Sequence, residues 1–425
     1  MSNERNWAGN LAYRAQRVEH PASVDELREL FAEPGSVRML GTRHCFNDIA
    51  DTAGVLIALD RMPATYEVDA GRDAVRVAGG LRYGDIAARL HADGLALANL
   101  ASLPHISIAG AVATGTHGSG DEIRSLAGAV RALTLLGPDG GLVQLQRGDE
   151  GFDGAVVSLG ALGAVLDVTL DVEPTYQVAQ HVFESPGWDA ILADLDAVTS
   201  VGTSVSIFSR WQQTAHADQI WVKQRVPATR ADAGAQRQRR EEVMSRLGAV
   251  AADGKRHPII GVDPEACTDQ GGVAAPWYER LPHFKLEFTP SAGEEIQSEY
   301  LVPRGDAVAA IEAIRSLADR IAPLLLVNEI RTVRADDLWM SSSYGTDAVG
   351  LHFTWKPDEA AVRALLPEIE AALPASARPH WGKVFTLDGA EVRARYPRWA
   401  DFAALAAEHD PERRFVNDYL ERLGL

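Results

Sequence analysis

The sequence predicts an α+β fold divided into at least two domains. Short strand-like runs outnumber helical ones, helices fall between them without strict alternation, and the character of the chain changes around Glu173-Pro-Thr-Tyr176. The missing alternation argues against a doubly wound parallel sheet. With 425 residues, 46% of them apolar, the chain can bury a large core. The first domain is expected over residues 1–175 and the second from residue 176 onward.

In chain order, His20–Phe31 reads as a helix. Ser23 and Glu26 make a capping-box pair, and Val24, Leu27, Leu30 and Phe31 share one apolar face. Strands are expected at Val37–Leu40, Val55–Leu59, Tyr66–Val68 and, after the Asp69-Ala-Gly-Arg-Asp73 turn, Ala74–Val77. Tyr83–Ala92 is a second helix, stopped by Gly94. Ala129–Leu136 and Leu142–Leu145 flank the Gly137-Pro-Asp-Gly-Gly141 turn, and Leu166–Val172 follows as a strand. Beyond the boundary, Trp188–Val198 reads as a helix, and Thr203–Arg210 and Gln219–Val226 as strands. Arg230–Gly254 is rich in Ala, Arg and Glu without a long apolar period, which predicts a solvated helix or a mobile excursion.

Two later strands carry polar residues at a spacing of two. Leu326–Val333 sets Glu329 and Arg331 on one face. Val349–Trp355 sets His352 and Thr354 on one face and Leu351, Phe353 and Trp355 on the other. A sheet resting its apolar face on a helix such as Asp306–Ile321 would turn the other face outward as a polar wall, suited to binding.

The stretch Ala101–Gly120 holds four glycines, many small residues and no acid, Arg or Lys. Such backbone can turn tightly and present N–H groups to an anion. It lacks the strand, turn, helix and downstream acid of the dinucleotide fingerprint, and no Gly-Lys-Ser/Thr closes it as a P-loop. Glycine content alone leaves two readings open, a phosphate cradle or a buried loop of tight turns.

A net charge of −18 argues against nucleic-acid or anionic-membrane partners, and the longest apolar runs are too short to span a bilayer. The first residues carry no charged-then-apolar leader, so the cytoplasm is the expected location. Cys45 and Cys267 are too few for a disulfide framework or a four-cysteine zinc site, and no metal is expected.

Six segments, in order, resemble the vanillyl-alcohol-oxidase-type flavoproteins: Gly41-Thr-Arg-His-Cys-Phe-Asn47, Ser102–Gly120, Gly160-Ala-Leu-Gly163, Glu329-Ile-Arg331, His380-Trp-Gly-Lys383 and Asp410–Asn417. Within that group the chain is similar to the alditol (xylitol, sorbitol) oxidases, themselves akin to the sugar-lactone oxidases. The resemblance implies an FAD-binding domain of two small α+β subdomains (1–175), a substrate domain with a large antiparallel sheet (176–379), and a C-terminal segment (380–425) that returns to the flavin. It implies covalent attachment of FAD through His44. Many family members have a second glycine and a serine flanking this histidine, where this chain has Arg43 and Cys45, and Cys45 could compete for the flavin.

The cofactor-binding residues implied by the resemblance are Gly41, Thr42, Arg43, His44, Cys45, Ser102, Ser107, Gly110, Thr114, Gly115, Thr116, His117, Gly163 and Asn417. His117, inside a tight turn, is expected to make a structural or cofactor hydrogen bond rather than act as a catalyst. The implied reaction takes a polyol and O2 to an aldose and hydrogen peroxide. Hydride leaves the carbinol carbon for flavin N5 while the hydroxyl loses its proton, so cations are needed beside the developing alkoxide. Arg331 and Lys383 supply them, and Lys383, its pKa lowered by Arg331, or His352 takes the proton. Glu329 binds hydroxyls and balances Arg331, and Ser102, Gln297 and Thr354 add neutral hydrogen bonds. The alternative is a lactone-type flavin dehydrogenase with another electron acceptor.

Overall fold

The computed structural model describes residues 4–288 and 295–425. Four sheets form among the described residues; the smallest pairs Leu95–Ala96 with Glu173–Pro174, and the other three organise the fold. Arg17–Glu19, Val55–Ile57 and Val37–Met39 form a parallel sheet, with the 55–57 strand in the middle. An antiparallel sheet runs Tyr66–Val68, Ala74–Ala78, Ala164–Asp171, Val130–Leu136, Leu142–Gln146. Its alternating Val75, Val77, Leu133, Leu135, Val168 and Leu170 are buried against Tyr83, Ile86 and Leu90 of the Tyr83–Ala92 helix.

The third sheet is antiparallel and nine-stranded, and its central strands run Gln219–Arg225, Ser204–Ser209, Leu325–Val333, Ala348–Trp355, Ile296–Pro303. One face is apolar. Tyr300, Val302, Ile330, Leu351, Phe353 and Trp355 pack on Ile311, Ile314, Val362, Leu365 and Ile369 of the helices Ala307–Ser316 and Glu359–Ala372. Each such side chain contributes roughly 1.5–3 kcal/mol through burial. That face fixes the register, and with it the side on which every intervening residue lies.

The architecture is the expected α+β one, with three local departures. The 188–198 helix is two, Trp188–Ala193 and Leu195–Thr199, because the Asp194 backbone leaves the helical region and its side chain caps the second by accepting from the Ala197 N–H. The 306–321 helix likewise divides into Ala307–Ser316 and Ala318–Ile321. Within the glycine-bearing stretch, Ile108–Ala113 forms a short helix whose Ile108, Ala111 and Val112 are buried. Arg230–Arg246 is a helix burying only Val243 and Met244, the solvated alternative of the two expected. Among the described residues no helix is long and apolar enough to cross a membrane.

Candidate functional site

A cavity of about 390 Å³ lies between the reverse face of the large sheet and the loops of the N-terminal sheets. The 41–45 loop forms part of its wall. The loop is pinned before Gly41 by Leu40 N–H to Ile57 O (2.8 Å) and after Cys45 by Phe46 N–H to Gly382 O (2.7 Å). Arg43 is held in the left-handed region (φ 65°), an arrangement costing about 1–3 kcal/mol for a non-glycine residue. Its carbonyl accepts the Trp7 N–H at 2.8 Å. The Trp7 ring stacks on His44 at 5.4 Å and 24°.

His44 Nδ1 is 3.0 Å from Thr42 Oγ1. Burial, helped by His105, pushes the His44 pKa down to about 4, so its imidazole is neutral at pH 7. Burial pushes the Cys45 thiol up to about 11, which removes the thiolate that a competing nucleophile would need.

Ser107 donates its N–H to Thr42 Oγ1 at 3.1 Å. A Cβ on Gly41 or Gly110 would lie 2.5 or 2.8 Å from Ser107 Oγ, so these two glycines let the loop and the 108–113 helix approach closely. Thr114 Oγ1 donates to Gly110 O at 2.9 Å and is 3.2 Å from Thr116 Oγ1. Gly163, at φ 124°, also lines the cavity. Two of the expected cofactor residues stand elsewhere. Gly115 is the left-handed turn (φ 64°) between the wall residues Thr114 and Thr116. Asn417 caps the last helix, and its amide donates to the carbonyls of Asp48, Ile49 and Asp51, so it braces the 48–50 turn from behind.

Arg38, unremarked in the sequence, also lines this end of the cavity. Its guanidinium donates to the carbonyls of Gly160, Phe415, Ile49 and Leu159, and its Nε is buried without a partner. Carbonyls satisfy donors but leave the charge unbalanced, and burial pulls this arginine down to about 10. Among the described residues Arg38 makes no ion pair, and such a buried cation, lining the same cavity as the hydroxyls of Thr42, Ser107, Thr114 and Thr116, fits a cofactor that carries a pyrophosphate.

The opposite wall is the polar face of the sheet. Across three neighbouring strands Glu299 pairs with His352 and His352 with Glu329, so the three form one row; Gln297, Thr354 and Val327 form the next. All six line the cavity or lie directly against residues that do. Glu299, absent from the sequence-based set, is the hub. Its Oε2 is 2.5 Å from Lys383 Nζ and 3.5 Å from His352 Nδ1, and its Oε1 is 3.1 Å from Arg331 Nη2 and 3.3 Å from His117 Nε2. Its period-two relation to Gln297 puts the two on one face, but only the pairing with the 348–355 strand brings Glu299 to His352.

Lys383 reaches this row because the chain after Pro379 continues along the 296–303 strand: His380 N–H donates to Glu299 O and Val384 N–H to Gln297 O, both at 2.9 Å. Asn47 donates to the carbonyls of Trp381 and Lys383, each at 2.8 Å, tying the segment to the His44 loop. Lys383 Nζ lies 2.5 Å from His352 Nδ1, and His352 Nε2 lies 3.2 Å from Thr354 Oγ1. Arg331 Nη1 is 3.3 Å from Ser102 Oγ and 3.7 Å from Glu329 Oε2.

The row is strongly polarised. Burial works against ionising Glu299 and Glu329, yet Lys383 and Arg331 hold the first, and Arg331 and His283 the second, well below the usual carboxylate range. Burial pushes Lys383 down, with Glu299 pulling back and Arg331 adding to the fall. Burial and then Lys383 push His352 down to about 4. His117 donates through one ring nitrogen to Gly118 O at 2.9 Å, the structural bond expected of it. His117, Glu299 and His380 offer ligand atoms within 4.8 Å of one another, but both Glu299 oxygens already face cations that would repel a metal ion.

Residues 15–146 match the FAD binding domain family, and residues 292–423 match the D-arabinono-1,4-lactone oxidase family. The chain is 46% identical to an alditol oxidase of Streptomyces sp. (strain IKD472 / FERM P-14339), over 98% of each chain. It is 28% identical to an L-gulono-1,4-lactone dehydrogenase of Mycobacterium tuberculosis, again over 98% of each. In fold it resembles the crystal structure of cholesterol oxidase from B. sterolicum, with a TM-score of 0.77 at 16% identity over 99% of this chain and 96% of that one.

Proposed function

The chain belongs to the alditol-oxidase group of the vanillyl-alcohol-oxidase-type FAD-linked oxidases, and from that premise we propose that it oxidises the terminal primary alcohol of acyclic polyols such as xylitol or sorbitol. On this reading residues 1–175 hold the cofactor, 176–379 the substrate, and 380–425 return Lys383 to the site, in a cytoplasmic enzyme. Bound FAD supplies the hydride acceptor, and its reoxidation by O2 yields hydrogen peroxide. Arg38, Thr42, Arg43, Ser107, Gly110, Thr114 and Thr116 would hold it, and His44, its imidazole neutral, would be the residue of covalent attachment.

The observation that carries the reading is the row Glu299–His352–Glu329 with Lys383 and Arg331 on it, facing the same cavity as the His44 loop. A polyol hydroxyl is donor and acceptor at once, and an alternation of carboxylate, guanidinium, amide and hydroxyl along Glu329, Arg331, Gln297, Thr354 and Ser102 satisfies both capacities. An apolar substrate would leave the remaining donor and acceptor capacity of these groups unmet, at a cost on the scale of about 1–3 kcal/mol for a group left unsatisfied. The Lys383–His352 pair takes the hydroxyl proton. Lys383 takes it in its neutral amine form, and the ammonium so made lies beside the forming oxyanion, 2.5 Å from both His352 Nδ1 and Glu299 Oε2. Arg331 adds the second positive charge, and Glu299 orients both cations.

Peroxide release measured over xylitol, sorbitol, glycerol and a sugar lactone tests this; release with the polyols and none with the lactone is expected. The match of residues 292–423 to a lactone oxidase family, with the likeness to an L-gulono-1,4-lactone dehydrogenase, supports a second reading, oxidation of a sugar lactone with another acceptor. Dye reduction by the lactone under air, without peroxide, would establish it instead.

A further inference from the structure

Behind Glu329 the structure holds two titratable groups that the chemistry above leaves unused. His283 Nε2 is 2.9 Å from Glu329 Oε1, and His283 Nδ1 is 2.9 Å from Lys223 Nζ, which also donates to Leu281 O. Lys223 is 1% exposed and His283 5%. Lys223 sits on the cavity-side face of the 219–225 strand, the same face as Trp221, while Ile220 and Val222 point into the apolar layer. The His283 ring meets Trp221 and Phe208 edge-on at 5.3 and 5.7 Å, which fixes its plane. The Ser102 carbonyl accepts the backbone N–H of His283 at 3.1 Å.

We propose, resting on the polyol reading, that Lys223 and His283 are positioning residues: Lys223 locks His283 in the Nε2–H tautomer, and His283 thereby holds Glu329 in the orientation that grips substrate hydroxyls. The argument is one of hydrogen-bond valence. The Leu281 carbonyl and the Glu329 carboxylate only accept, so Lys223 donates to the first and His283 Nε2 to the second. With Nε2 protonated, the Nδ1 lone pair of a neutral ring requires a donor, and Lys223 is the group within reach. Burial pushes Lys223 down to about 7 and His283 to about 4. Both charge states of the lysine keep the two N–H groups the arrangement uses, and the imidazole stays neutral. Without Lys223 the ring is free to carry its proton on Nδ1, which would turn a lone pair on the carboxylate and release it.

The clamp acts on binding more than on the hydride step, because Glu329 grips hydroxyls while Lys383 and His352 handle the proton. In the FAD-loaded enzyme, Lys223→Met is expected to raise the KM for xylitol about tenfold or more, the scale of losing a hydrogen bond to a charged group, with the limiting rate of flavin reduction within about threefold of wild type. Lys223→Gln, whose amide keeps two N–H donors, should recover much of the affinity. His283→Phe keeps the ring packing and removes the bond, so it should repeat the Lys223→Met effect and serves if that variant does not fold. An unchanged KM in the folded variant overturns the proposal.

Histidine 15N NMR reads the clamp without substrate. The His283 signal should show Nδ1 bare and Nε2 protonated in wild type, and lose that signature in Lys223→Met; the same tautomer in both, or an Nδ1–H tautomer in wild type, overturns the proposal. Failure of every polyol to reduce the flavin would end the functional reading, while this spectrum would still decide the clamp.

Discussion

Glu299 Oε2 lies 2.5 Å from Lys383 Nζ, so a carboxylate on the 296–303 strand, next to the short Arg378–Pro379 edge strand, partners a lysine delivered by the last part of the chain. Glu299 is 1% exposed, and both its oxygens serve cations. Glu299→Gln leaves Lys383 and Arg331 without that anion, at a cost on the scale of about 3–5 kcal/mol for breaking a buried pair. A fall of several degrees in Tm is expected; an unchanged Tm would remove Glu299 as the hub. Because Glu299 pulls the Lys383 pKa upward, its loss should also carry the acid limb of the flavin-reduction pH profile to lower pH.

Lys383→Ala and Arg331→Ala remove the charges proposed to face the developing alkoxide. Each should slow flavin reduction by a polyol about 10²–10³-fold, the usual scale for losing one preorganised donor. Flavin content should change far less, since neither residue belongs to the Gly41–Cys45 loop. Stopped-flow traces at wild-type rates would take both out of the mechanism.

The stacking of Trp7 on His44 bears on covalent attachment. Denatured wild-type protein should keep flavin fluorescence on a gel, and His44→Ala should lose it. Trp7→Ala, which removes a contact worth about 0.5–1.5 kcal/mol, should lower the fraction retained without abolishing it. Free release of flavin from wild type would end the assignment of His44.

Acid stability follows in part from imidazoles whose pKa burial depresses, among them His44, His283, His352 and, well below the ordinary value, His380. His44, His283 and His352 have folded pKa values near 4, depressed by burial, against about 6.5 in an unfolded chain. Between those values the unfolded state binds more protons, so stability is fully present above pH ~6.5 and is lost as pH falls toward ~4. Glu299 and Glu329, held well below the ordinary range, add their own loss only at still lower pH. Thermal midpoints recorded from pH 7.5 to 4.5 should hold level down to about pH 6.5 and decline from there to 4.5, and a flat profile throughout would contradict the neutral buried state.

The fold was legible where side-chain periodicity is strong. The 325–333 and 348–355 strands follow from alternating polar and apolar residues, and Tyr83–Ala92 from its apolar face and the stop at Gly94. The break at Asp194 was hidden because its cause is a local side-chain cap within an otherwise helical pattern. In the site, Glu329, Arg331, His352 and Thr354 could be placed on common faces, but which strands are neighbours is a tertiary fact. Glu299 became visible only when 296–303 was seen beside 348–355, and Lys223 with His283 only when a strand and a distant loop met. Arg38 looked like an ordinary strand residue because its partners are backbone carbonyls, which leave no trace in sequence.

The row of Glu299, His352 and Glu329 spans three separate strands at one level. Point substitutions in it can retune the grip on a substrate one group at a time. A single inserted or deleted residue in any of the three would instead exchange inside for outside along that whole strand, sending carboxylate or imidazole into the packed layer of Phe353 and Trp355. This polar wall therefore has two modes of inheritance: gradual drift in chemistry, and near-total intolerance of changes in length.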